Sequence, residues 1–423
     1  MPVPLCLICD RAIAPFLSFG RMPRADAFLT EAEIASEYFF ELAAGLCESC
    51  GMVQLCERVP ASRMFHDSYA YYSSTSAGMQ RHFAAFADDV RGRLPSTAAP
   101  FVVEIGCNDG ILLDAFRAAG IRHLGVDPAG NVLSEAARKG LSVRQAFFNE
   151  QTAAEIEAEH GRADAIVAAN VICHVADLHS VFAGVRRLLT PSGLFIFEDP
   201  YVGAILENNA LDQIYDEHVF YFSVSSVSRI AAMHGLEVVG VAPQAVHGGE
   251  LRYYLSFAGA SPPAPDVSQW LDREQASGLS SPATYRQFAG RAASIRDDLT
   301  RTIRELRSRG CRIAGYGATA KSSTILNYCR LGPRDIEYIA DVTPGKQGKL
   351  TPGSHIPVRP PDVFRSPYPD YAVLFAWNHE KEIREKERAF EAQGGSWISY
   401  VPHVTEKAFR EGVPPAPQSR TLS

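Results

Sequence analysis

The sequence predicts an α/β protein in three parts: a small four-cysteine N-terminal module, a core built on a seven-stranded sheet, and a second α/β unit at the C-terminus. Three observations predict it. Two Cys-x-x-Cys pairs, in CLICD and CESCG, fall within the first 50 residues. Seven short apolar runs alternate with helix-period sequence between residues 101 and 257, as in a largely parallel sheet with crossover helices. A second strand, glycine turn and helix, CRIAGYGATAKSSTILNYC, opens another alternation after residue 310.

Composition sets the outer limits. A chain of 423 residues, 46% of them hydrophobic, is long enough for several cores. Its formal net charge of -7 leaves no basic footprint for a nucleic-acid backbone, so no nucleic acid is expected as partner. The apolar runs are broken by charge well short of the roughly 20 residues that span a bilayer, so no membrane association is expected. The start, MPVPLCLICD, lacks a cationic stretch followed by an apolar one. These readings predict a cytoplasmic protein, and nine cysteines there are metal ligands or buried apolar groups before they are disulfides.

Residues 1–60 are expected to form the first domain. Cys6 and Cys9 are separated from Cys47 and Cys50 by 37 residues. Each short turn lets two sulfurs converge, and four thiolates suit tetrahedral zinc with no position left for substrate, so the zinc is expected to be structural. Nothing in the spacing asks for Cys56 as a fifth ligand.

The second domain is expected over residues 61–260, with a helical lead-in. Tyr69, Tyr71, Tyr72, Ser73, Ser74 and Thr75 precede the amphipathic AAFADDVRGRL; they either present hydroxyls to a ligand or form a tyrosine-rich packing surface. The seven runs are FVVEIG, HLGVD, SVRQA, ADAIVAAN, GLFIFEDP, GLEVVGV and ELRYYLSF, the strand count of a methyltransferase sheet. The first ends in EIGCNDG, where Glu104, Gly106 and Gly110 bracket a tight turn into a helix, and glycine there lets backbone approach a ligand. Asp127, seventeen residues after Gly110, is placed to accept from ribose hydroxyls. The ExGxNxG form in place of GxGxxG argues against NAD.

Residues 261–308 read as a helical connector and 309–408 as the C-terminal α/β domain. In its GYGATAKS turn, Gly315, Gly317, Thr319, Lys321 and Ser322 sit where a helix N-terminus and a lysine receive phosphate, although the GxxxxGKS spacing is absent. The tail, residues 409–423, is expected to be disordered.

Taken together, the four-cysteine segment, EIGCNDG, YDEH, HGGELR and the GYGATAKS domain ending in AWN resemble the three-part C-methyltransferases that act on nucleotide-linked 4-keto-deoxysugars. The resemblance covers nearly the whole chain, and it rests on the order and combination of the motifs. It implies a zinc-binding N-terminal domain, an S-adenosylmethionine-dependent Rossmann-like core and a C-terminal Rossmann-like domain facing the nucleotide-sugar cleft. It further implies that Glu104, Gly106, Asn108, Gly110 and Asp127 line S-adenosylmethionine, that Phe147, Phe148 and Asn149 flank adenine, and that Ala169 and Asn170 lie near the methionine part. His218 would be the catalytic base, with Tyr215, Glu217 and His174 around the sugar. One tyrosine among Tyr69, Tyr71 and Tyr72 would meet substrate, and Gly315, Gly317 and Lys321 would contact a dTDP or GDP diphosphate.

The chemistry asks for such residues. A carbon beside a ketone must lose a proton before it can accept a methyl group, and histidine is suited to take it. A donor such as Tyr215 or His174 then steadies the developing oxyanion, and Glu217 is expected to orient His218 or raise its basicity. Alternatives stay open from sequence: O- or N-methylation of a small molecule, a zinc-bearing scaffold with a vestigial core, or an oxidoreductase using the C-terminal turn with Asp341 on ribose. The sugar, C3 against C5, and inversion against retention are likewise open, and a monomer is expected because three domains can cover one another.

Overall fold

The computed structural model describes residues 3–64, 73, 77–95 and 99–408. Tyr69, Tyr71, Tyr72 and the tail at 409–423, singled out above, lie outside the described residues. The chain divides into two compact units, Met1–Ala25 with Tyr38–Ala292 and Asp26–Glu37 with Ala293–Ser423.

The first unit holds two sheets. Strands β1 (Ala14–Pro23), β2 (Phe39–Leu46) and β3 (Val53–Leu55) form an antiparallel N-terminal sheet. The core follows with β4 (Phe101–Ile105), β5 (Arg122–Asp127), β6 (Val143–Gln145), β7 (Ala163–Ala169) and β8 (Leu189–Pro200). After them come the two-residue β9 (Phe220–Tyr221), then β10 (Leu236–Gln244) and β11 (Glu250–Phe257). Seven of these make one sheet in the order β10-β11-β8-β7-β4-β5-β6, so all seven predicted runs are strands of it. The five from β8 to β6 pair in parallel, whereas β11 joins β8, and β10 joins β11, antiparallel. The eighth strand, β9, leaves this sheet and joins β3 at the edge of the N-terminal one.

Strands covered on both faces read as unbroken apolar runs, and β4, FVVEI, is buried at every position. The helix Ile111–Ala118 buries Leu112, Leu113 and Phe116, while Asn149 and Asp177 cap the helices Glu150–His160 and Leu178–Leu188 with their side-chain oxygens. In the chain order, connections turn one way from β4 towards β5 and the other way towards β7. That reversal makes the carboxyl ends of β4 and β7 the place where an open α/β sheet holds its ligand.

The helix Ala77–Arg93 is fastened to the sheet by a buried charge network that the sequence reading did not single out. Arg252 donates to Glu198 Oε2 through Nε and Nη2 at 2.9 and 2.7 Å and to Asp89 at 3.1 Å, and His82 pairs with the other oxygen of Glu198. Glu198 has no exposed surface, and removing one partner of a buried pair strands the other charge. Arg252→Leu is expected to lower stability by about 3 kcal/mol, measured by chemical denaturation of the full chain.

The second unit is a six-stranded sheet of β12 (Ile313–Tyr316), β13 (Ile339–Ala340), β14 (Val358–Arg359), β15 (Tyr371–Leu374), β16 (Ser396–Ser399) and β17 (Thr405–Ala408). Its order is β14-β13-β12-β15-β16-β17, parallel except for β17, a Rossmann-like arrangement. Residues 26–37, read from sequence as part of the 1–60 domain, group with this unit. Leu29 and Leu350 exchange backbone hydrogen bonds at 3.1 and 2.8 Å, Lys346 pairs with Asp26 at 2.7 Å, and Glu37 accepts from His355 and from Gly353 N–H.

Candidate active site and zinc centre

Each cysteine pair sits on a tight turn of the same build. Asp10 N–H donates to the Cys6 carbonyl at 3.0 Å and Gly51 N–H to the Cys47 carbonyl at 2.8 Å. The residue after each pair is left-handed, Asp10 at φ 57° and Gly51 at φ 75°, which turns the chain back beneath the sulfurs. The four Sγ atoms lie within 4.8 Å of one another, with Cys6 to Cys50 and Cys9 to Cys47 both at 3.5 Å. Thiolates bound at about 2.3 Å around a tetrahedral ion stand a little under 4 Å apart, so this donor set fits zinc. Cys56 stands outside the four.

At the carboxyl end of β4 the chain enters the glycine turn. Gly106 has φ 70°, and a Cβ there would lie 2.2 Å from Val171 Cγ2; Gly110, at φ 79°, would meet Leu141 at 2.3 Å. Neither position tolerates a side chain. Asp127 clamps the turn, accepting from Asn108 N–H at 3.0 Å and Ala129 N–H at 2.9 Å. Burial, then the neighbouring Asp127 and Asp109, push the Glu104 carboxyl well above the usual carboxylate range, and burial raises Asp127 as well. Glu104 Oε2 is buried without a hydrogen-bond partner among the described residues. Glu104, Asp109 and Asp127, with Lys139 at 3.7 Å from Asp109, form an acidic cluster at the end of β4, and a positive charge beside it would relieve their mutual repulsion.

Of the other residues expected at this ligand, Ala169 ends β7, and Asn170, left-handed at φ 56°, reaches Glu250 at 3.4 Å. Phe147 is 48% exposed, whereas Phe148 belongs to the core. The Asn149 side chain is engaged in capping, accepting from Thr152 N–H at 2.9 Å.

Val171, beside Gly106, leads directly into the turn Ile172–His174, and this brings the histidines to the glycine turn. The His174 and His218 rings stack with centroids 5.2 Å apart. His218 Nδ1 lies 2.9 Å from the Gln213 carbonyl, and Nε2 lies 2.8 Å from the Tyr215 hydroxyl. A carbonyl only accepts, so Nδ1 carries the proton of the neutral ring and Nε2 is the basic nitrogen. Orientation of His218 thus comes from Gln213, a residue the sequence reading had not marked, alongside its expectation for Glu217. Burial lowers His174 to about 4, which leaves its ring neutral at ordinary pH. Asp216, in the same segment, accepts from Ala25 N–H at 3.0 Å.

Two further groups went unmarked in sequence. Cys173 and Asp199 are fully buried beside the histidine pair, with Cys173 N–H donating to Asp199 at 3.2 Å. Burial pushes the Asp199 carboxyl up to about 8, so it is a neutral acid at pH 7. Only burial exposes such a residue; EDP in a strand looks ordinary in one dimension.

In the second unit, Gly317 at φ 90° follows β12, and a Cβ on it would lie 2.7 Å from Ala376 Cβ. Gly315 is required by packing, since a Cβ would lie 2.6 Å from the Phe375 ring. Lys321 stands over the Trp377 ring at 4.8 Å and reaches Asn378 at 3.5 Å. Asp341 closes this turn much as Asp127 closes the other, accepting from Ala318 N–H and Thr343 N–H, both at 2.7 Å.

Three family profiles match consecutive parts of the chain: "Putative zinc binding domain" over residues 6–65, "Methyltransferase domain" over 79–241 and "C-methyltransferase C-terminal domain" over 245–402. A ubiquinone biosynthesis O-methyltransferase of Methylococcus capsulatus is 29% identical over 160 residues, 34% of this chain and 67% of that one. The CcbJ methyltransferase of Streptomyces caelestis aligns over 42% of this chain and 90% of its own with 15% identity and a TM-score of 0.33, a likeness too slight to bear on function. C-methyltransferase NovU of Streptomyces niveus is 35% identical over 404 residues, 95% of this chain and 96% of the relative. A match of that depth over 95% of the chain makes the chain a member of the C-methyltransferase family to which NovU belongs.

Proposed function

We propose that this C-methyltransferase takes its methyl group from S-adenosylmethionine and places it on a carbon beside the ketone of a nucleotide-linked 4-keto-deoxysugar, with His218 as general base. The observation that carries the proposal is the chain from the Gln213 carbonyl through the buried His218 to the half-buried Tyr215, stacked on His174. It holds one basic nitrogen ready at the ligand end of the sheet, which carbon methylation needs and oxygen methylation needs far less.

When bound, S-adenosylmethionine supplies an electrophilic methyl group on a cationic sulfur. Glu104, Gly106, Asn108, Gly110 and Asp127 receive it in this proposal, with Phe147, Phe148 and Asn149 towards adenine and Ala169 and Asn170 towards the amino-acid end. His218 Nε2 removes the proton beside the ketone once the Tyr215 hydroxyl has turned from it, and that hydroxyl and the neutral His174 ring are the donors for the developing enolate oxygen. Glu217 completes the polar wall around the sugar. Gly315, Gly317 and Lys321 are proposed as diphosphate contacts, and a tyrosine among Tyr69, Tyr71 and Tyr72 as a sugar contact.

The acids at the glycine turn give this reading a pH signature. A cation binding beside Glu104 favours its ionised form and displaces a proton wherever the raised carboxyl is still protonated. Affinity for S-adenosylmethionine is therefore expected to fall as pH drops, by up to about tenfold per unit for one linked proton. Calorimetric titration in two buffers of different ionisation heat measures the release; binding with no proton exchange contradicts it.

The experiment for the reaction itself is incubation with dTDP- and GDP-linked 4-keto-6-deoxysugars in deuterated water, with and without S-adenosylmethionine. Deuterium entering beside the ketone, followed by a new carbon-bound methyl when the cofactor is added, supports the proposal. Methyl gain on oxygen or nitrogen with no exchange refutes it.

A further inference from the structure

The segment that carries His218 belongs to two structures at once. Upstream it lies against the turn after β7, where His218 meets His174. Downstream, the buried Phe220–Tyr221 forms β9 and pairs with β3: Val53 opposes Tyr221, and Gln54 opposes Phe220. Leu55 N–H donates to the Val219 carbonyl at 2.9 Å, one residue past His218. On the other side of His218, Asp216 takes the N–H of Ala25, two residues past the end of β1. The base is thus bracketed by bonds to the N-terminal sheet.

Gln54 joins that bracket to the cysteine turns. It is 2% exposed, its Oε1 accepts from Leu7 N–H at 2.9 Å, and its Nε2 donates to the Leu5 carbonyl at 3.3 Å. Leu5 and Leu7 flank Cys6. The same turn is tied to the core by His179, whose Nε2 reaches the Ile8 carbonyl at 3.0 Å, and the second turn by Arg229, which donates to the Ser49 carbonyl at 3.0 Å. Buried polar groups committed in this way hold one geometry, because any other leaves them unsatisfied.

We infer that Gln54 is a positioning residue for methyl transfer, its side chain gripping the first cysteine turn while its strand holds β9, so that the four-cysteine centre sets where His218 stands. This rests on His218 being the base. It gives the N-terminal module a part in the chemistry: a shift of about 1 Å in a reacting group is enough to slow a reaction by as much as a hundredfold, and while Phe222 ties the downstream end of β9 to the core through the Val202 N–H at 2.9 Å, the inter-strand bonds next to His218 run to β3.

The test uses the full-length, zinc-loaded chain. Gln54→Leu keeps the volume and removes the bonds to Leu7 and Leu5 together with that from Nε2 to the Leu55 carbonyl at 3.4 Å. Expected are unchanged zinc content, unchanged dissociation constants for S-adenosylmethionine and substrate, and a fall of about tenfold or more in both kcat and substrate deuterium exchange. Wild-type kcat and exchange in a folded, zinc-loaded variant overturn the inference. Should the variant lose zinc or fail to fold, amide hydrogen exchange of the wild-type chain decides. On withdrawal of zinc by a chelator, residues 216–222 are expected to lose protection while 101–110 and 163–169 keep theirs. Retained protection at 216–222, or equal loss in all three, overturns it. This readout does not depend on what His218 does, so a failed base assignment and a failed positioning role are told apart.

Discussion

His218→Ala is expected to bind S-adenosylmethionine with wild-type affinity and to lose methyl transfer by about three orders of magnitude, the middle of the range that a general base contributes. The separation follows from where the residue stands. The glycine turn and its acids belong to β4, β5 and the loops behind them, and Asp127 closes that turn through Asn108 and Ala129. His218 is 4% exposed, and its loss leaves the Gln213 carbonyl and Tyr215 hydroxyl without their ring partner, a penalty of about 1–3 kcal/mol in stability. His218→Asn, which keeps a donor but no base, distinguishes lost chemistry from lost structure: both variants should be equally inactive while Asn melts nearer to wild type. Turnover above one tenth of wild type in either sinks the assignment. Deuterium wash-in without cofactor should vanish in parallel, because proton removal precedes methyl transfer.

The parts of the protein that were legible in sequence are those whose physics is local. A strand covered on both faces has to be apolar along its length, so FVVEI and ADAIVAA announced themselves, and all seven runs of the core are strands. A turn that admits no Cβ has to be glycine, which marks Gly106 and Gly110. Four thiolates at paired spacing announce a metal. What stayed hidden depends on partners far off in the chain. Asp26–Glu37 looks like any loop of the cysteine module, yet it is bonded to residues 346–355 of the second unit. In YDEHVFY, nothing local tells that Phe220–Tyr221 leaves one sheet for another, since two residues carry no period. Glu198, Arg252 and Asp199 appear in sequence as ordinary strand polars, and only burial makes the first two a network and the third a neutral acid.

Cys47→Ser is expected to abolish stoichiometric zinc and to reduce stability by roughly 4–5 kcal/mol, the range reached by loss of a structural metal. A serine hydroxyl stays protonated at neutral pH and is a poor ligand for zinc, so three thiolates remain for a site that needs four. Zinc sites in isolated fingers hold about 10–16 kcal/mol of folding energy; less is at stake here because Cys6, Ile8, Ile13 and Met52 are packed into the main core and resist release. Cys56 supplies the control. It lies outside the four-sulfur cluster, and burial pushes its thiol up to about 11, so it is no thiolate at neutral pH. Cys56→Ser should keep one zinc per chain and most of its activity. If both serine variants lose zinc alike, the ligand set is misassigned; if neither loses it, Cys47 is not a ligand and the four-sulfur site is not where the zinc is held. The order of loss in Cys47→Ser carries the argument further. With the turns released, β3 loses the anchor that fixes β9, and deuterium exchange at the substrate should fall before S-adenosylmethionine binding does, since Asp127 closes the glycine turn by its own bonds to Asn108 and Ala129.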